Sequence, residues 1–109
     1  MSGYTEQEKA FIERWDSKSK ALARKAHDLC TDRRTKQEIE VFIWAIEHDL
    51  ANDCFYGMGF SELMKIQEVL NNPDFYRDVY KDADTEETRA LKALGQEATE
   101  LLKILKGER

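Results

Sequence analysis

The chain has 109 residues, a mass of 12.8 kDa, and 36% charged against 41% hydrophobic residues, with a formal net charge of -5. That is enough for one hydrophobic core, and the composition is that of a globular chain rather than a membrane or disordered one. The most apolar run, Val41 to Ile46, is far short of the ~20 residues a membrane-crossing helix needs, and two cysteines, Cys30 and Cys54, are too few for a disulfide scaffold.

In chain order, Thr5 and Glu8 form a capping-box pair, and Phe11, Trp15, Leu22, Ala26 and Leu29 follow at helical spacing, which predicts a helix to about Cys30. Thr35 and Glu38 repeat the pair and predict a second helix to about Asp53. Its centre, Val41-Phe42-Ile43-Trp44-Ala45-Ile46, is apolar on every side, which predicts an element surrounded by others. Ser61 reads as the N-cap of a third helix bearing Leu63, Met64, Ile66, Val69 and Leu70. Asn72 and Pro73 open a fourth with Phe75, Tyr76, Val79 and Tyr80. Asp84 or Thr85 caps the last, with Glu86 and Glu87 in its first turn. There Leu91, Leu94, Ala98, Leu101 and Leu105 alternate three and four apart, the spacing of a seam. No strand competes with this pattern. The expected fold is all-α: residues 1–109 as one bundle of four to five helices, built on an N-terminal antiparallel helical hairpin and ending in a long amphipathic helix.

The charge is unevenly placed. Residues 14–36 hold eight bases and three acids, whereas residues 37–109 hold sixteen acids and eight bases. Arg14, Lys18, Arg24 and Lys25 on the first helix, with Arg33 and Arg34 at its turn, are the candidate anion-binding residues, and Tyr4 is a possible addition to them. Such a strip would attract phosphates or an acidic protein surface. The acidic remainder argues against duplex DNA.

Catalytic chemistry finds little footing. His27, Cys30, His48 and Cys54 are ligand types for zinc, but in a hairpin turning near residue 32 His48 falls roughly 16 Å from His27, too far to share one ion. Glu47, His48, Asp49 and Asp53 would hold a cation only with ligands from other helices, and Asp74, Asp78 and Asp82 read as a solvated face. No nucleophile elbow, phosphate loop, dinucleotide fingerprint or EF-hand loop occurs. The expectation is therefore a protein without catalytic residues, metal or cofactor.

Aromatic residues carry more information. Phe55, Tyr56 and Phe60 bracket Gly57 and Gly59, and Phe75, Tyr76 and Tyr80 follow on the fourth helix. Phe55, Tyr56, Met58, Phe60, Tyr76 and Tyr80 are the candidate partner-binding residues, since large side chains at a glycine-flanked junction suit an adhesive patch. The leucine seam of the last helix would pair two copies if the chain itself left it uncovered.

Two local resemblances set the alternatives. Val41-Phe42, Ala45, Glu47-His48 and Leu50-Ala51 resemble part of the small enterobacterial nucleoid-associated modulators. Tyr4-Thr5-Glu6-Gln7-Glu8-Lys9-Ala10, with Ile12, Arg14 and Trp44-Ala45, is similar to short helical phage proteins that sequester cyclic nucleotides. Each spans a small part of the chain and transfers no site residue. The expectation is a small non-enzymatic regulator or inhibitor of bacterial or phage type that binds another protein. The alternative is a binder of a nucleotide, cyclic nucleotide or short RNA. The N-terminus carries no secretion signal and the thiols suit a reducing compartment, so the cytoplasm is the expected location, away from membranes.

Overall fold

Thr5 starts the first helix with both halves of its capping box in place. Its hydroxyl accepts from the Glu8 amide at 3.1 Å, and the Glu8 carboxylate accepts from the Thr5 amide at 2.8 Å. In the computed structural model, which describes residues 3–107, this helix α1 (Glu6–Arg14) runs without a break through a π turn at Trp15–Ser19 into α2 (Lys20–Leu29). Next come α3 (Arg33–Ala51), α4 (Met58–Leu70), α5 (Pro73–Tyr80) and α6 (Glu86–Leu105). Because α1 and α2 form one rod, the bundle has five rods, and the regular structure among the described residues is all-α.

The π turn has a physical cause. Phe11, Trp15, Ser19 and Ala23 are all buried, each four residues after the last. In an ideal α-helix every such step drifts by about 40°, so three steps would carry Ala23 off the face that Phe11 occupies. The wider π turn absorbs the surplus and keeps the series directed at α6. Ala23 and Ala26 are fully buried, while Leu22 and Leu29, expected inside, are only half-buried.

Two helix starts differ from expectation. Asp32, not Thr35, caps α3: its carboxylate accepts from the Thr35 amide at 3.0 Å and from the Thr35 hydroxyl at 2.5 Å. Thr35 thus lies buried inside the first turn. Helix α4 begins at Met58, three residues before Ser61, because its N-terminal amide finds an acceptor on another helix (below). Asn72 with Pro73, and Thr85, cap α5 and α6 as expected.

The core is built on α6. Leu91, Leu94, Ala98, Leu101 and Leu105 all face inward, and α1, α2 and α4 pack around them. The seam is spent inside this chain, so a second copy finds no free face there. At Gly95, α6 comes against the end of α4 so closely that a Cβ would lie 2.9 Å from the Leu70 carbonyl oxygen. The Asn71 amide donates to the Gly95 carbonyl at 2.9 Å and bridges that contact. Helix α3 lies between α2 and α4, with Trp15 edge-on to Phe42 and Lys20 paired to Glu47. It is not enclosed, however: Val41 and Trp44 in its apolar centre face outward.

Candidate interaction surface

Trp44 is the largest apolar side chain on the outer face of α3, 56% exposed. Its ring stacks on His48 one turn on, with centroids 4.9 Å apart. Val41 stands one turn before it and is also exposed. Beside this face, Arg24, His27 and Asp28 from α2 and Glu40, Ile43 and Glu47 from α3 line an open groove of about 430 Å3, with Trp44 as one wall. Glu47 is held on its inner side: Lys20 pairs with it at 2.5 Å and the Trp15 indole donates to it at 3.3 Å. Burial works to raise its pKa, but these two hydrogen bonds and the Lys20 charge outweigh burial and lower it. The groove therefore has a fixed anionic end at Glu47, with Asp28 and Glu40 also on its lining, and its cation is Arg24, whose charge helps to keep Glu47 ionised.

The sequence hid Trp44 inside an apolar run, although a signal was there. Gln37, Glu40, His48 and Ala51 stand seven and four residues to either side of it, all exposed, and mark that side of α3 as the solvent face.

The basic strip divides. Arg14 is consumed by an ion pair with a buried carboxylate, its Nε 2.6 Å and its Nη2 2.8 Å from the oxygens of Glu97 on α6. The Ser19 hydroxyl, supplied by the π turn, donates to the same carboxylate at 2.7 Å, and the Lys18 ammonium lies 4.0 Å away. Burial raises the Glu97 pKa, yet the hydrogen bonds from Arg14 and Ser19 reverse it, and the carboxyl titrates below its ordinary range. Arg24 and Lys25 stay exposed on α2, and Arg33 and Arg34 are exposed at the start of α3. Tyr4 lies elsewhere, with its hydroxyl donating to Asp53 and its ring edge-on to Phe55.

The aromatic residues fall into two groups at opposite ends of α4. Phe55 is held between Tyr4 and Phe11, and Phe60 is half-buried against Tyr56. Tyr56 (61% exposed) and Met58 project outward. At the other end Tyr76 is buried, donating its hydroxyl to the Leu70 carbonyl. Tyr80 sits with its hydroxyl 3.6 Å from the Cys30 sulfur. Burial pushes the Tyr76 and Tyr80 phenols and the Cys30 thiol upward, with Glu87 and Cys30 adding to the shift at Tyr80.

Gly57 and Gly59 make room for a carboxylate. Asp49 is buried, and its Oδ2 accepts from the Gly59 amide at 2.5 Å, so α3 supplies the cap that α4 lacks. His48 Nδ1 lies 3.7 Å from the other oxygen of Asp49. Among the described residues, no three His, Cys, Asp or Glu side chains converge as metal ligands. Cys30 and Cys54 are free, and no described helix is long and apolar enough to cross a membrane. No known family model, curated protein or solved structure shows a significant match to this chain.

Proposed function

We propose that this chain is a small non-enzymatic interaction protein of bacterial or phage type that regulates or inhibits a macromolecular partner, another protein, by binding it directly. The observation that supports this reading is Trp44, a 56% exposed tryptophan at the middle of a helix, with exposed Val41 beside it and the Arg24 groove at its flank. Large aromatics with an arginine near the centre of an exposed face are the residue types that dominate association energies. Tyr56 and Met58, at the start of α4, are a second exposed apolar pair available to a partner. Free thiols at Cys30 and Cys54 suit a reducing compartment and support a cytoplasmic location.

The test is affinity capture from the native cell with the wild-type chain, Trp44→Ala, Tyr56→Ala and the double change Arg24→Glu with Lys25→Glu. A stoichiometric partner that wild type retains and Trp44→Ala loses supports the reading. Equal retention by all of them removes these faces from it.

A second reading, binding of a nucleotide, cyclic nucleotide or short RNA, draws on the same groove, where Arg24 and His27 meet an aromatic wall. A thermal-shift screen separates the two, since a ligand at a hundred times its Kd adds about 2.7 kcal/mol of stability. A flat screen disposes of it.

A further inference from the structure

A second cavity lies between α4 and α5. Ile66, Val69 and Leu70 from α4 face Phe75 and Val79 from α5 across a cleft of about 440 Å3 that opens toward the start of α3. Helix α5 packs only lightly on the body, and its inner side is pinned by the Tyr76 hydroxyl on the Leu70 carbonyl and by Tyr80 beside Cys30. Phe75 and Val79 are left as a standing wall. Val69 and Val79 are each about two-fifths exposed, so the lining presents apolar surface to water that an occupant would cover. The size and mainly apolar lining are those of a small-molecule site.

Four charged residues line the same cleft, and three are already engaged. Asp32 is spent on the amide and hydroxyl of Thr35. Lys65 stands 3.7 Å from Glu38 and 3.5 Å from Glu62, so its one charge is shared between two carboxylates. Arg34 has no carboxylate within 4.0 Å among the described residues and is exposed at the rim. Arg34 is thus the one cation of the cleft with no carboxylate partner, and the planar fork of its guanidinium matches a carboxylate.

We propose that this cleft binds a small organic acid with an apolar body, the body between α4 and α5 and the carboxylate on Arg34. This stands independently of the partner-binding reading, whose residues Trp44, Tyr56 and Met58 do not line the cleft.

The probes are decanoate and its uncharged counterpart decanol, below their aggregation limits, each displacing the fluorescent sulfonate 8-anilinonaphthalene-1-sulfonate from the folded chain. Decanoate should compete at a single site roughly tenfold more tightly than decanol, the scale of one charge-assisted hydrogen-bonded contact. Arg34→Ala should abolish that preference while leaving decanol unchanged, and Val69→Trp should block both probes by filling the cleft. Lys25→Ala, which removes a cation from another face, should change nothing. Circular dichroism verifies the fold of each variant, and Arg34, being exposed, is expected to leave it intact. Equal affinity of the two probes for wild type, a preference that survives Arg34→Ala, an equal loss in Lys25→Ala, or no competition at all would each overturn the proposal.

Discussion

The carboxylate of Asp49 on α3 and the backbone amide of Gly59 on α4 meet at 2.5 Å, with no room for a side chain between them. A Cβ at Gly59 would stand 2.8 Å from that same oxygen, 3.0 Å from the Ile46 side chain and 3.2 Å from the Ala45 carbonyl oxygen. Gly59→Ala is therefore expected to destabilise the chain by about 1–3 kcal/mol, the scale of overpacking. Alanine's better helix propensity, at most ~1 kcal/mol, recovers only part of that. Asp49→Ala removes the acceptor and should cost about 1–2 kcal/mol, as loss of a helix cap does. Urea unfolding of the two variants checks both; a Gly59→Ala protein as stable as wild type would mean that α3 and α4 separate freely.

Glu97 makes the stability depend on acid. Its folded pKa lies below the ordinary glutamate value of 4.5, so its contribution is complete above that value and disappears as the pH falls through the folded one. Glu47 and Glu87 are also lowered and act in the same direction. Glu97→Gln should cost roughly 2–3 kcal/mol at pH 7, at or below the low end for a broken buried pair, because Arg14 keeps about a third of its side chain in water. The gap between wild type and Glu97→Gln should stay constant above pH 4.5 and close progressively as the pH is lowered beneath it. A gap in the urea midpoints that persists there undiminished would show that the charge of Glu97 is not what α6 relies on.

The two tryptophans should behave oppositely. Trp15 is fully buried and edge-on to Phe42 at 5.6 Å, so Trp15→Ala is expected to cost about 3–5 kcal/mol. Trp44→Ala should change stability by no more than about 0.5 kcal/mol. Iodide should quench the emission of Trp15→Phe, in which only Trp44 remains, and barely touch Trp44→Phe.

Lys81 ends α5 in the left-handed region, at a φ of 55°, and Asp82 follows at 58°. The Asp82 amide reaches back to the Tyr76 carbonyl at 3.0 Å, which fixes the turn. Lys81→Gly should stabilise the chain by about 0.5–1 kcal/mol, since glycine adopts this conformation without steric cost. An unchanged or lower thermal midpoint would show that the lysine stem contributes more than its backbone strain costs.

Helices and their inward stripes were legible wherever the cause is local. The Thr5 capping box, the Asn72-Pro73 restart, the Thr85 cap and the leucine stripe of α6 are all decided within a few residues. The misreadings occur where the partner is distant. Ser61 looked like a cap because the true acceptor, Asp49, lies on another helix, ten residues upstream of the Gly59 amide that it caps. The basic strip looked continuous because Glu97, which takes Arg14 out of it, is 83 residues away. The aromatic cluster looked like one patch because sequence proximity says nothing about the ends of α4. Trp44 faces outward because α2 and α4 flank α3 without closing over it, and no local pattern in the apolar run itself records that opening.

The π turn between α1 and α2 places one further demand on the chain. Asp16, Ser17 and Lys18 are all exposed, and most substitutions there should pass unnoticed by the fold. Removing any one of them would let the rod close into a regular α-helix, and the narrower turns would make up for the lost residue, so everything beyond it keeps its direction. Ala23 and Ala26 would stay against α6, and Ser19 would stay beside Glu97. An added residue has no such outlet and turns everything beyond it by about 100°. In this stretch gene variants should therefore tolerate replacement and the loss of one residue, and reject an insertion.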